Sequence, residues 1–372
     1  MRLETLAVHA GGEPDTETGA IAPPIHMATT FRHGPAGERV AGFEYVREGN
    51  PTQERLETAL AALEHGEAAL AFGSGMAAMT ALLESLAPGT TLLVPTDCYT
   101  GLRVLADEFL PRGGISAQRV DTADLTAVDA AFAADAGAIW LETPSNPQLR
   151  VADIAAIVDC AHRRGALVFC DNTFATPVLQ QPLALGADVV MHSTTKYFGG
   201  HSDVMGGALV FTQRGELCER VAHRRHVTGG VLAPFNAWMT LRGLRSLPAR
   251  MHWHCANARR IAEFLAAHAR VSAVNYPGLP THAGHAVAQR QMRDFGAMLS
   301  FRVAGGRDAA LAAAGRLKLI HNATSLGGCE TLIEHRASVE GTNPVSPQDL
   351  LRLSVGLEHT DDLIADLAEA LG

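Results

Sequence analysis

Residues His192-Ser193-Thr194-Thr195-Lys196-Tyr197-Phe198-Gly199-Gly200-His201 concentrate more chemistry than any other stretch of this chain, and they directly follow an apolar run at 188–191. A lone loop lysine is normally a solvated charge. One that closes a buried strand loses water, so its pKa falls and its amine becomes a nucleophile toward an aldehyde. Ser193 and Thr195 flank it with hydroxyl groups suited to a phosphate. Upstream, the run 167–170 ends in Asp171-Asn172-Thr173. An aspartate there either caps a helix or faces a ligand crevice, where a buried carboxylate needs a cationic partner. Together, an Asp and a Lys on two strand ends fit pyridoxal phosphate: the Asp keeps the pyridine nitrogen protonated and the Lys joins the aldehyde.

Two further stretches suit the phosphate. Gly73-Ser74-Gly75-Met76-Ala77-Ala78 closes a strand and opens a helix, which turns backbone N–H groups toward an anion. It has neither P-loop nor dinucleotide spacing and fits a single phosphate. Arg47, in Glu44-Tyr45-Val46-Arg47-Glu48-Gly49-Asn50-Pro51-Thr52, is either a phosphate clamp or a surface arginine before a helix.

Strand ends must hold these groups. Short apolar runs at 68–72, 91–94, 115–120, 138–141, 167–170, 189–192 and 208–211 suit buried parallel strands, and helical patterns at 76–86, 102–109, 125–133 and 154–163 alternate with them. The pattern predicts an α/β fold with a mostly parallel, doubly wound sheet, whose ligands lie beyond the carboxyl ends of the strands. After Pro234 the character changes to a long helical stretch at 236–268, with a break at Pro248, then strands at 271–276 and 298–303 and helices at 308–315 and 361–371. The expected division is an irregular N-terminal arm (1–50), a cofactor-binding α/β domain (51–235) and a smaller α+β domain (236–372).

Composition removes other classes. The chain has 372 residues, 47% hydrophobic and 19% charged, enough for a large core and too apolar for disorder. A net charge of −9 and 5% aromatic residues argue against nucleic acid. No apolar run of membrane-spanning length and no signal-peptide pattern occurs, so a cytoplasmic protein without membrane partners is expected. Six cysteines without C-x-x-C spacing disfavour zinc, and His252 and His254 point to different helix faces, so no metal is expected.

Seven motifs in order, including Tyr45-Val46-Arg47, Ser74-Gly75-Met76-Ala77-Ala78, Glu142-Thr143-Pro144-Ser145-Asn146-Pro147, Ser325-Leu326-Gly327-Gly328 and Arg352-Leu353-Ser354-Val355-Gly356, resemble the Cys/Met-metabolism, or trans-sulfuration, family of fold type I pyridoxal-phosphate enzymes. The resemblance implies that Lys196 carries the cofactor, Asp171 faces its pyridine nitrogen and Tyr99 stacks on the ring and assists proton transfer. It implies a phosphate site from Gly75, Met76, Ser193 and Thr195, completed by Tyr45 and Arg47 of a neighbouring subunit in a homotetramer. Asn146 would lie near the cofactor's ring oxygen, and Arg352 would pair with the substrate α-carboxylate beside Ser325.

Among the family's reactions, γ-replacement of an O-acyl-homoserine by cysteine, as in cystathionine γ-synthases, is the expectation. Glu44 stands at an acidic position that in cystathionine-handling members contacts the distal amino group; a solvated charge is the alternative. The other reactions are cystathionine γ- or β-elimination, homoserine-ester sulfhydrylation and methionine γ-elimination. Gly101 replaces the Cys typical of methionine γ-lyases, Thr324 replaces a Glu common in γ-lyases and γ-synthases, and the segment 336–342 departs from the family's Met-Thr-His-Ala. A cofactor-binding protein without catalysis would need neither Lys196 as base nor Arg352 as clamp.

Overall fold

The computed structural model describes residues 1–341 and 344–372; Thr342, within the divergent segment, lies outside the described residues. Seven short strands, Ala68–Phe72 (β1), Thr91–Pro95 (β2), Ser116–Val120 (β3), Ala138–Glu142 (β4), Leu167–Asp171 (β5), Val189–His192 (β6) and Gly207–Phe211 (β7), form one sheet. Their order is β1-β7-β6-β5-β4-β2-β3. In β1, β4, β6 and β7 every residue is buried, as helices on both faces of the sheet require.

The parallel expectation fails at one strand. β7, expected to run parallel at 208–211, is antiparallel to both β6 and β1. Residues 193–206, which join β6 to β7, contain turns and no helix, and without a crossover the next strand returns antiparallel. That returning segment is the one that carries Lys196.

Local sequence sets the helix starts next to the site. Asn50 caps helix Pro51–Glu64 by accepting from the N–H of Thr52, and Pro51 occupies the first turn. Ser74 caps helix Gly75–Leu83 through the N–H of Ala77 at 3.1 Å.

The helical stretch after Pro234 is two helices, Pro234–Leu244 and Leu247–Ala267, with Pro248 in the first turn of the second. Val271–Asn275 (β8), Met298–Val303 (β9), His321–Asn322 (β10), Leu332–His335 (β11) and Leu350–Ser354 (β12) form a second sheet, ordered β10-β11-β12-β9-β8. Helix Pro234–Leu244 packs on Pro51–Glu64, and one apolar core runs from Leu56 through Leu241 and Met251 to Leu299 and Leu353. The two sheets therefore share a core.

The first ten residues are less irregular than expected. Leu3–His9 is a helix whose Leu3 and Ala7 bury into that core, an i, i+4 spacing visible in the sequence. Residues 13–49 are mostly exposed. Among the described residues, no helix is long and apolar enough to cross a membrane.

Candidate active site

The carboxyl ends of β1, β2, β4, β5 and β6 meet β11, β12 and the loop at Thr324–Leu326 around a cavity of about 490 Å³. Its wall brings together Lys196, Tyr99, Asp171, Asn146, Ser325 and Arg352. Gly75, Met76, Ser193 and Thr195 line it too. At this end the N–H groups of Gly75 and Met76 belong to a helix's first turn, which has no intrahelical acceptors to offer them. They line the same cavity as Ser193 and Thr195, and although the Thr195 hydroxyl here donates to the Gly206 carbonyl at 3.2 Å, Gly75, Met76 and Ser193 supply donors that fit a phosphate.

Lys196 Nζ donates to Ser325 Oγ at 2.7 Å. Burial lowers the amine to about 8, with Arg352 acting in the same direction and Glu334 opposing. Ser325 sits at φ 85°, a left-handed conformation that costs a residue with a Cβ on the order of 1 kcal/mol or more. The strained turn lets one residue serve two groups, because its carbonyl accepts from Arg352 Nη2 at 3.0 Å. Gly327 lets the loop lie against Lys196's neighbour: at φ 78°, its missing Cβ would stand 2.7 Å from the Tyr197 nitrogen.

Arg352 is 4% exposed and is held from three directions. Glu334, its direct cross-strand partner on β11, lies 2.8 Å from Nη2. Asn146 Oδ1 accepts from Nη1 at 3.0 Å. Burial lowers Arg352 to about 10 against the pull of Glu334, so it stays cationic at neutral pH.

Asp171 and Glu142 are register partners at the ends of β5 and β4. Burial raises both carboxyls, and the proximity of Asp171 raises Glu142 further, while Thr173 hydrogen bonds oppose the rise at Asp171. Two adjacent buried carboxylates do not both ionise readily, and the upward push is the stronger at Glu142. Tyr99 is tied to this pair, its N–H donating to Glu142 Oε2 at 2.8 Å. At Gly101 a Cβ would stand 2.4 Å from the Tyr99 ring and 2.6 Å from Met76 Sδ, side chains that a larger residue would have to displace.

Within one protomer, three expected residues do not reach the cavity. Tyr45 is 39% exposed, the Arg47 guanidinium lies 4.9 Å from the centre of its ring, and Arg47 Nη1 donates to the His226 carbonyl. Glu44 pairs with Arg39 at 2.7 Å. Sequence reasoning missed Glu334 and Glu142 as site residues. Glu142 stood in a quoted motif, whereas Glu334 becomes legible only once β11 is paired with β12. A simpler signal was also available: the chain contains two lysines, Lys196 and Lys318, and Lys318 is an exposed partner of Glu369.

An amine, a phosphate cradle and a buried carboxylate on separate strand ends fit pyridoxal phosphate. The family model for "Cys/Met metabolism PLP-dependent enzyme" matches residues 4–372. Cystathionine gamma-synthase of Mycobacterium tuberculosis is 50% identical, over 99% of this chain and 96% of that protein. Cystathionine gamma-lyase of Bacillus subtilis is 42% identical, over 100% and 99%. The structure of cystathionine gamma synthase from Xanthomonas oryzae pv. oryzae in complex with cystathionine superposes with a TM-score of 0.96 at 42% identity, covering 100% of this chain and 98% of that one. This chain belongs to the Cys/Met-metabolism family of pyridoxal-phosphate-dependent enzymes.

Proposed function

We propose that this protein joins cysteine to an O-acyl-homoserine by γ-replacement, releasing the carboxylic acid and forming cystathionine. The observation that carries an α-amino-acid substrate is Ser325, which binds Lys196 through Oγ and Arg352 through its carbonyl, so amine and carboxylate clamp sit side by side. The choice of γ-replacement rests on the 50% identity to a cystathionine gamma-synthase against 42% to a gamma-lyase.

When bound, pyridoxal phosphate supplies an aldehyde that joins amines and a protonated ring that accepts electrons from the substrate's Cα. Each residue of the chain then has a task. Gly75, Met76, Ser193 and Thr195 hold the phosphate. Asp171 keeps the ring nitrogen cationic. Arg352, steadied by Glu334 and Asn146, orients the α-carboxylate. Lys196, neutral above about pH 8, takes the Cα proton at Nζ, and Tyr99 covers the ring and assists the transfer.

Tyr45 and Arg47 act on a neighbouring protomer's phosphate in a homotetramer, which their surface position permits. Six unpaired cysteines suit a reducing compartment, the cytoplasm. The test is incubation of the cofactor-loaded protein with O-acyl-homoserine and cysteine, and separately with cystathionine alone, with products identified by mass spectrometry. Cystathionine from the first mixture is the expected result. Ammonia and a keto acid from the second, with no substitution product from the first, would make it a lyase.

A further inference from the structure

One cation of the cavity has no part in that scheme. Arg336, immediately after β11, is 8% exposed and lines the cavity. Its Nη1 donates at 2.7 Å to Glu334 Oε2, the oxygen that Arg352 also engages. Its Nη2 reaches Thr100 Oγ1 at 3.4 Å, and Glu340 stands 3.8 Å away. Its Nε is buried with no hydrogen-bond partner among the described residues.

The carboxylates beside Arg336 are shared with other donors. Glu340 is engaged by Ser346 Oγ and by the N–H groups of Val345 and Ser346, and it faces Arg103 at 3.9 Å. Three guanidinium groups (Arg103, Arg336, Arg352) thus face Glu334 and Glu340, with the Glu142 carboxyl on the same cavity wall. Thr324, on the same wall, contributes no charge. A buried donor without a partner is costly, and an incoming carboxylate removes that cost.

We propose that Arg336 is a specificity residue that binds a second carboxylate of the reactants, beyond the γ-carbon, while Arg352 holds the α-carboxylate. This rests on the γ-replacement reading. The second carboxylate has two possible sources: an acyl leaving group that is the half-ester of a dicarboxylic acid, or the incoming cysteine.

The experiment compares the wild type with Arg336→Met and Arg336→Lys. O-succinyl- and O-acetyl-homoserine are each supplied with cysteine or with cysteamine, which lacks the carboxylate. In Arg336→Met one kcat/KM ratio falls by roughly 10- to 100-fold, the range expected for a lost charged hydrogen bond, and Arg336→Lys recovers part of it. A fall in the succinyl-to-acetyl ratio assigns the site to the leaving group; a fall in the cysteine-to-cysteamine ratio assigns it to the nucleophile. An equal loss in all four combinations overturns the proposal, because Arg336 would then only steady Glu334 and Arg352.

Calorimetry supplies a readout without turnover. The wild type binds L-2-aminoadipate more tightly than the uncharged norleucine, and Arg336→Met loses that preference; a preference retained in the variant also overturns the proposal. Arg336→Gln replaces the methionine variant should that one not fold. If the wild type forms no substitution product from any pair, the γ-replacement reading fails, while the aminoadipate preference still decides the role of Arg336.

Discussion

The two ends of the cavity are built on different physical plans. At the end proposed for the phosphate, the lining residues sit just past two strands: Gly75 and Met76 after β1, and Ser193, Thr195 and Lys196 after β6. At the carboxylate end, Asn146, Ser325, Glu334 and Arg352 come from four separate places in the chain and meet only when β11 pairs with β12. The first end depends on backbone donors and local turns, and a side-chain change there removes one group. The second is a network of buried charges, and removing one member leaves the others uncompensated.

Lys196→Ala breaks the first end. Turnover falls by at least about 10⁴-fold, the upper end of what one proton-transferring group supplies, and the visible band of the cofactor-linked protein is lost. Fold and thermal stability of the apo-protein stay close to wild type, which circular dichroism checks.

Glu334→Ala breaks the second end and acts on stability instead. Arg352 and Arg336 lose their shared carboxylate inside the protein, and urea denaturation should show a loss of about 3 kcal/mol. The exposed pair Lys318–Glu369 is the control: Glu369→Ala should change stability by less than about 1 kcal/mol.

Arg352→Lys sharpens the contrast. It keeps the charge and loses the planar fork, so KM for the amino acid rises by roughly tenfold or more while kcat changes less, measured by steady-state kinetics.

The smallest effect is on pH dependence. Burial holds the Lys196 amine at about 8, below the ordinary lysine value of 10.5. The reactive neutral form is therefore about half populated near pH 8 and nearly complete about one unit above it. Stopped-flow reconstitution of the apo-protein with pyridoxal phosphate should accelerate up to about pH 9 and level off. Continued acceleration to pH 10 would show an unperturbed lysine.

The same contrast decides what was legible from the sequence. β1, β4 and β6 announce themselves as unbroken apolar runs, and the residues after them could be assigned because a strand end fixes where they point. β11 and β12 carry Glu334 and Arg352 at buried mid-strand positions, so they lack the apolar signature of core strands. Arg352 was found through its motif, whereas Glu334 needed the cross-strand register. The direction of β7 was misread because strand composition is silent on direction; only the helix-free connection at 193–206 carries that information. Tyr45 and Arg47 were legible as a motif, and the work proposed for them lies with a second protomer, which one protomer's geometry does not display.

The most direct test of the account traps the cofactor link. The protein is loaded with pyridoxal phosphate, reduced with borohydride, digested and mapped by mass spectrometry. With two lysines in the chain the outcome is unambiguous: the phosphopyridoxyl mass is predicted on the peptide containing Lys196. A label on Lys318, or no label with both lysine peptides recovered unmodified, would contradict it.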